Sequence, residues 1–340
     1  MMTAPLRLRI DRTALAANWR ALQAMAGTAC GAAVKADGYG LGAVAVATTL
    51  AEAGCRDFFV SIWAEAAALA GLGVPVSVLH GIRAEDMASA LAGGPARPVL
   101  NTATQVARWK AAGGGLCDVM VDTGMNRLGV APDEVRAGLL DGLAIDTLMS
   151  HLACADEASA MNEAQRRTFA ELAGATRARR MSLANSAGIA LGKDYAFDLV
   201  RPGLALYGGV PCAALAGTVT QVVTPEAQIL QRRTVRAGQS VGYNATWTAP
   251  ADTEVAILNL GYADGYFRGF SDRGTANGGT LPVIGRVSMD LVALDVGAAP
   301  DLAEGDWVAL DYDLRTAARV TGMSQYELLT SLGARFGRSV

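Results

Sequence analysis

Gly31-Ala32-Ala33-Val34-Lys35-Ala36-Asp37-Gly38-Tyr39-Gly40-Leu41-Gly42-Ala43-Val44-Ala45 is the stretch on which the fold turns. It reads as a buried strand over Gly31–Ala36, a glycine-rich turn, and then a helix over Ala43–Ala53. Two parallel-sheet architectures begin this way. In one, Gly40-Leu41-Gly42-Ala43-Val44-Ala45 is the G-x-G-x-x-A fingerprint of a dinucleotide-binding fold. That fingerprint needs a tight first turn and an acidic residue ending the second strand, to hold a ribose. Here the turn from Lys35 to Gly40 is too long, and Asp57 opens the next apolar run instead of closing it. The other architecture is a barrel whose chemistry sits where strands end. Lys35 stands at such an end.

Outward from this stretch, β-like runs alternate with helical patterns. The runs are Gly31–Ala36, Phe58–Ile62, Val74–Leu79, Pro98–Asn101, Asp118–Asp122, Ile145–Ser150, Ser182–Asn185 and Leu204–Tyr207. Alanine-rich amphipathic stretches lie among them: Ala14–Met25, Ala43–Ala53, Ala64–Leu72, Thr104–Ala111 and Asn162–Arg179. This alternation predicts an α/β fold, an N-terminal (β/α)8 TIM-type barrel over 11–221. After Gln221 the texture changes to alternating runs, Val255–Leu260, Leu281–Ile284, Leu291–Val296 and Trp307–Leu310, parted by turns. A mostly-β C-terminal domain is expected over 222–340, with the N-terminal strand 1–10 joining it.

Composition narrows the function classes. The net charge of −3 and the lack of a basic stretch speak against nucleic acid. No apolar run approaches the ~20 residues of a membrane helix, and Met1–Pro5 runs straight into a strand, not a leader. Five cysteines without a CxxC pair read as reduced thiols of a cytoplasmic protein. With two histidines, His80 and His151, and no HExxH, no metal site is expected. Of 29 basic residues only three, Lys35, Lys110 and Lys193, are lysine. Lysine, unlike arginine, can shed its proton and form a Schiff base. A lysine snorkelling from a strand end is the plainer alternative for Lys35.

The polar segments that follow the apolar runs form a set. They are Ala33-Val34-Lys35-Ala36-Asp37-Gly38-Tyr39-Gly40, Val121-Asp122-Thr123-Gly124-Met125-Asn126-Arg127, Ser150-His151-Leu152-Ala153 and Ala184-Asn185-Ser186-Ala187. Asp198-Leu199-Val200-Arg201-Pro202-Gly203-Leu204, Val241-Gly242-Tyr243-Asn244, Gly261-Tyr262-Ala263-Asp264, Val287-Ser288-Met289-Asp290 and Tyr326-Glu327 complete it. In this order and spacing, over nearly the whole chain, the set resembles the alanine racemase family, pyridoxal-phosphate-dependent enzymes of fold type III.

The resemblance implies pyridoxal 5'-phosphate as cofactor and interconversion of L- and D-alanine by two bases acting on opposite faces of Cα. It gives Lys35 the cofactor's Schiff base and one proton transfer, and Tyr243 the other. An ordinary tyrosine titrates near ~10, so Tyr243 would need cationic neighbours, and His151 and Arg201 are the natural suppliers. Arg201 would also meet the pyridine nitrogen, and because it keeps its own proton it would leave that nitrogen largely unprotonated, which disfavours transamination. Ser186, the N–H groups of Gly203 and Leu204, Tyr39 and Tyr326 would anchor the phosphate, with Asn185 beside them. Arg127 would meet the phenolic oxygen and the substrate carboxylate, and Met289, Asp290 and Tyr262 would line the carboxylate site and the entrance. The resemblance further implies a homodimer with shared active sites, a small amino acid as substrate, and a product that feeds cell-wall synthesis or alanine catabolism.

One position departs from the family pattern. Many members carry a carbamylated lysine where this chain has Met120, which leaves open what orients Arg127. Ser288 in place of a frequent cysteine is a second, milder departure. The alternatives are a racemase of serine or of broad specificity, a decarboxylase of the same fold, a non-catalytic pyridoxal-phosphate-binding protein, and an NAD-dependent dehydrogenase. The second domain argues against the binding protein, and the segment around Tyr243 against the decarboxylase.

Overall fold

A computed structural model describes residues 4–339. Met1–Thr3, which belong to the expected N-terminal strand and to the reading against a leader, lie outside the described residues, as does Val340. The chain forms two compact units, one from Thr13 to Thr220, the other from Gln221 onward together with the segment up to Arg12.

The first unit is a parallel barrel. Seven strands pair in chain order: Ala32–Ala33, Phe58–Val60, Val76–Val78, Ala96–Leu100, Cys117–Met120, Ile145–Met149 and Arg180–Ser182. An eighth, Leu199–Val200, pairs with Ala29–Cys30, and the Gly31 N–H donates to Val200 O at 2.9 Å. On its other side the Asp198 N–H reaches Met181 O and the Arg201 N–H reaches Ala184 O, so the ring closes. Helices cover the strands because their apolar residues recur at helical spacing. In Arg12–Ala26 the buried positions are Ala14, Leu15, Asn18, Trp19, Leu22 and Ala26. Asn18, polar on that stripe, is fully used: it donates to Leu206 O and Thr220 O and accepts the Thr220 N–H.

The lower interior of the barrel is charged. Arg97 donates to Asp118 and Asp146 at 2.8 Å each, and Arg180 donates to Asp57 and Asp146 at 2.7 and 2.6 Å. Ser77 and the Thr147 N–H complete the bonding of Asp118. A buried ion network of this kind stabilises only when every member is bonded, and here the strand starts supply all of them.

Four expectations need correction, and the first is that the strand expected over Ser182–Asn185 lies at Arg180–Ser182, since Asn185 caps the helix that follows. The strand over Gly31–Ala36 stops at Ala33, and Lys35–Tyr39 is a tight turn. Leu204–Tyr207 is a 3-10 turn, not a strand. An apolar run buried on all sides carries no period to tell the two apart, and Pro202 and Gly203 before it break the ladder. The helix expected to reach Arg179 ends at Ala170, short of Gly174, which takes a left-handed φ of 79°.

The second unit is built on an eight-stranded sheet. Its order is Thr275–Ala276, Leu281–Ile284, Val292–Asp295, Thr253–Leu258, Val223–Val235, Leu6–Ile10 and Gly337–Ser339, with Trp307–Ala309 also on Val223–Val235. Leu6–Ile10 runs antiparallel to Val223–Val235, Leu6 opposite Ala227. Two short helices absent from the expectation, Leu314–Thr321 and Gln325–Thr330, lie in the chain between Trp307–Ala309 and Gly337–Ser339, each begun by a polar cap, Asp313 and Ser324.

Candidate active site

Lys35 leaves the first barrel strand on a backbone that few side-chain-bearing residues adopt. Ala36, Asp37 and Tyr39 take φ of 52°, 52° and 56°, a left-handed region that costs an L residue roughly 1–2 kcal/mol. Two carboxylates hold the turn. Glu65 accepts the Ala36 and Ser61 N–H groups at 2.7 Å each, and Asp37 accepts the Ala43 N–H at 2.8 Å. Lys35 is half-buried, and its pKa is lowered by desolvation first and by Arg127 second, with Glu65 opposing. A lysine so placed has more of the neutral, nucleophilic amine.

Arg127 sits on a loop ordered by Asp122. That carboxylate accepts the Gly124, Asn126 and Arg127 N–H groups at 2.8, 3.0 and 2.9 Å, which pulls its pKa down against the effect of burial. Met120 is buried at the end of its strand. The backbone under Arg127 is therefore set by Asp122. Its guanidinium makes no hydrogen bond or ion pair among the described residues.

Arg201 is 7% exposed and stands near the ring of Phe59, at 5.9 Å. It donates to the Ser182 hydroxyl and, at 2.5 Å, to Ser150 O. No carboxylate lies within ion-pair reach of it among the described residues. Burial lowers its pKa to about 10, and the charge of Asp118 pulls the other way. His151 follows Ser150, and its pKa falls to about 3, by burial first and then by Arg201, Arg127 and Lys35. His151 is therefore neutral near pH 7 and does not supply the positive charge expected of it, because burial among cations keeps the proton off. Buried Gln165 ties these loops together. Its amide donates to His151 O at 3.0 Å and, more weakly, to Thr123 Oγ at 3.4 Å, and its oxygen accepts the Ala153 N–H at 2.9 Å.

A small cradle lies in the same unit. Ser186 Oγ accepts the N–H groups of Gly203 and Ala205 at 3.0 and 3.2 Å. A Cβ on Gly203 would stand 2.2 Å from the Tyr39 hydroxyl, so only glycine fits there. The Leu204 N–H has no partner among the described residues. Asn185 spends its side-chain oxygen on the Gly188 N–H, capping Ser186–Ile189. Lys35, Arg127, His151 and Arg201 thus influence one another electrostatically, with few acidic groups to offset them. Such a set, with the open Leu204 N–H and a lysine of lowered pKa, fits a group that carries both an anion and a carbonyl.

The remaining candidates belong to the second unit. Tyr243 opens a turn between Ser240–Val241 and Trp247–Thr248 and is 66% exposed. Met289 and Asp290 lie on the turn Ser288–Leu291, closed by the Ser288 N–H to Leu291 O at 2.9 Å. Neither backbone N–H has a partner among the described residues. Tyr262 is beside them: its N–H donates to Ser288 O at 3.0 Å, and Arg268 lies over its ring. Tyr326 is on the helix Gln325–Thr330, 45% exposed. The structure brings Tyr262, Met289 and Asp290 together.

Sequence reasoning passed over Glu65, Gln165 and Arg335, and quoted Asp122 without a role. Gln165 had a signal, a polar residue on the buried stripe Asn162, Gln165, Phe169. Arg335 had none, since its partners are distant in sequence. Asp57, which opens the strand where the dinucleotide reading needs an acid at its end, is held by Arg180.

Comparison with known proteins gives one family. The model of the alanine racemase N-terminal domain matches residues 10–211, and that of the C-terminal domain matches 222–340. An alanine racemase of Acidiphilium cryptum is 43% identical, covering 98% of each chain. A catabolic alanine racemase of Agrobacterium fabrum is also 43% identical, over 98% of this chain and 91% of its own. The crystal structure of alanine racemase from Bartonella henselae with covalently bound pyridoxal phosphate superposes with a TM-score of 0.87. Its identity is 34%, with 99% of both chains covered.

Proposed function

This chain belongs to the alanine racemase family, and on that premise we propose that it interconverts L- and D-alanine with pyridoxal phosphate bound in the barrel unit. The observation that carries the reading is the gathering of the cationic side chains of Lys35, Arg127 and Arg201 around a neutral His151, with few acids to offset them. When bound, the cofactor draws electrons from the substrate's Cα and makes its proton easier to lose.

The chain's own residues do the rest. Lys35 Nζ holds the cofactor and takes or returns the Cα proton on one face, and the Tyr243 hydroxyl does so on the other. The depressed pKa of Lys35 favours that exchange near neutral pH. Arg201 presents a cation, already oriented by Ser182 and Ser150, to the cofactor's ring nitrogen. Ser186, the N–H groups of Gly203 and Leu204, Tyr39 and Tyr326 receive the phosphate, with His151 and Asn185 bracing the loops around it. Arg127 and the free N–H groups of Met289 and Asp290 take the substrate carboxylate, with Tyr262 alongside.

The proposal extends to assembly. Tyr243, Met289, Leu291 and Tyr326 are all exposed on the second unit, and we propose that a second copy of the chain covers them in a two-fold homodimer with shared sites. Five unbridged cysteines support a cytoplasmic home. No helix among the described residues is long and apolar enough to cross a membrane.

The test is a racemisation assay across the common amino acids, read with the visible spectrum of the purified protein. Alanine is expected to turn over fastest. Borohydride should bleach the visible band and leave the cofactor on Lys35. Lys35→Ala is expected to lose the band and at least about a thousandfold in turnover. A Lys35→Ala protein with its band and turnover intact would sink the assignment.

A further inference from the structure

Two carboxylates of the second unit share one guanidinium. Arg335 Nε donates to Asp264 Oδ1 at 2.6 Å, and its Nη1 donates to Asp290 Oδ1 at 2.7 Å. The partners differ in kind. Asp264 is 1% exposed, and its second oxygen accepts the Gly261 N–H at 3.0 Å, closing the turn Tyr262–Asp264. Asp290 is half open to solvent and sits on the turn Ser288–Leu291.

These turns meet backbone to backbone. The Tyr262 N–H reaches Ser288 O and the Ala263 N–H reaches Met289 O, both at 3.0 Å. A Cβ on Gly261 would come within 2.2 Å of Met289 O. The peptides are thus set without Arg335. What Arg335 adds is charge and the direction of the Asp290 side chain. Burial raises the Asp264 pKa and the nearby Asp290 charge adds to that, while Arg335 pulls it down.

A turn that offers free N–H groups to a carboxylate has a defect if it also carries a carboxylate of its own. Like charges a few ångströms apart repel, and the repulsion is poorly screened once water is partly excluded. We propose that Arg335 is a positioning residue of the substrate site: it neutralises Asp290 and ties it back to buried Asp264, so that the Ser288–Leu291 turn accepts the carboxylate of an amino acid. The inference rests on the reading of Met289 and Asp290 as part of the carboxylate site.

The experiment uses the cofactor-loaded enzyme and steady-state kinetics with L- and D-alanine. Arg335→Gln is expected to raise KM about fivefold to tenfold for both enantiomers, with kcat within about twofold, the mark of lost substrate binding. Arg335→Lys, which keeps the charge but not the fork, should give a smaller rise in the same direction. Adding Asp290→Asn to Arg335→Gln removes the exposed repelling charge and should bring KM back to within about threefold of wild type. A merely structural arginine would lower Tm and kcat, and the second change would not rescue it. If Arg335→Gln does not fold, Arg335→Lys with and without Asp290→Asn carries the same comparison.

Met289→Glu tests the underlying reading by itself, because it brings a new negative charge to the same turn. A raised KM there, with no rise in Arg335→Gln or no rescue by Asp290→Asn, overturns the role of Arg335 and leaves the site standing. An unchanged KM in Met289→Glu removes the site reading and the inference together.

Discussion

In the barrel unit Arg201 is 7% exposed and its guanidinium is held by Ser182 and Ser150, whereas in the second unit Tyr243 is 66% exposed and Met289 54%. The difference runs through both sets. On the barrel side, carboxylates and a buried amide brace each loop: Glu65 under Lys35, Asp122 under Arg127, Gln165 under His151. In the second unit the backbone is just as tightly stitched, around Gly261 and Ser288, but the side chains of Tyr243 and Met289 are open to solvent. In the barrel unit buried Arg201 is held in place by folding alone, since a buried cation is tolerated only when its donors are used. The exposed set has rigid backbone supports beneath open side chains, the feature on which the proposal of a covering second copy rests.

The strongest way to break this comparison is complementation. Lys35→Ala and Tyr243→Phe are each expected to be inactive. Refolded together in equal amounts, half the dimers are mixed and carry one intact site, so activity should return to about a quarter of wild type. Activity that stays at zero would mean that both residues serve the same subunit's site.

A paired glycine experiment sharpens the contrast between the units. Gly203→Ala drives a methyl group into the Tyr39 hydroxyl, and cofactor affinity should fall by about tenfold or more. Gly261→Ala pushes on the Met289–Asp290 peptide instead, and there KM for alanine should rise by a similar factor while cofactor affinity holds. Spectral titration with pyridoxal phosphate and steady-state kinetics separate the two. Both variants behaving alike would erase the division of labour.

The smallest effect concerns His151. Its pKa is about 3 in the folded barrel, against an ordinary value of 6.5. Between those values the unfolded chain binds more protons, so the contribution of His151 is whole above pH 6.5 and drains away as the pH falls toward 3. The Tm advantage of the cofactor-free wild type over His151→Asn should therefore shrink on acidification. A difference that does not change with pH would place His151 in water.

Much of this was legible in the chain. The strand–helix alternation announced the barrel, and Ala43–Ala53 and Leu281–Ile284 occur with the bounds read from their patterns. Val223–Val235, the longest strand of the second unit, went unread because its outer half, Gln231-Arg232-Arg233-Thr234, carries no apolar alternation. Its partners Leu6–Ile10 and Thr253–Leu258 make it a strand. The left-handed turn after Lys35 was hidden for another reason: alanine at 36 disfavours positive φ, and the carboxylates of Glu65 and Asp37 hold the turn through contacts that local pattern does not show.

The sequence by itself determined the chemistry on offer: a rare lysine at a strand end, the order of the motifs, and the absence of a carbamate-forming lysine at Met120. Those are matters of residue type and spacing, which no packing can alter. The tertiary structure decided which charges meet. Asp122 under Arg127, Arg180 on Asp57, and Arg335 between Asp264 and Asp290 join positions that local pattern cannot relate. Electrostatic strength depends on separation and burial, and both come into being only when the chain has folded.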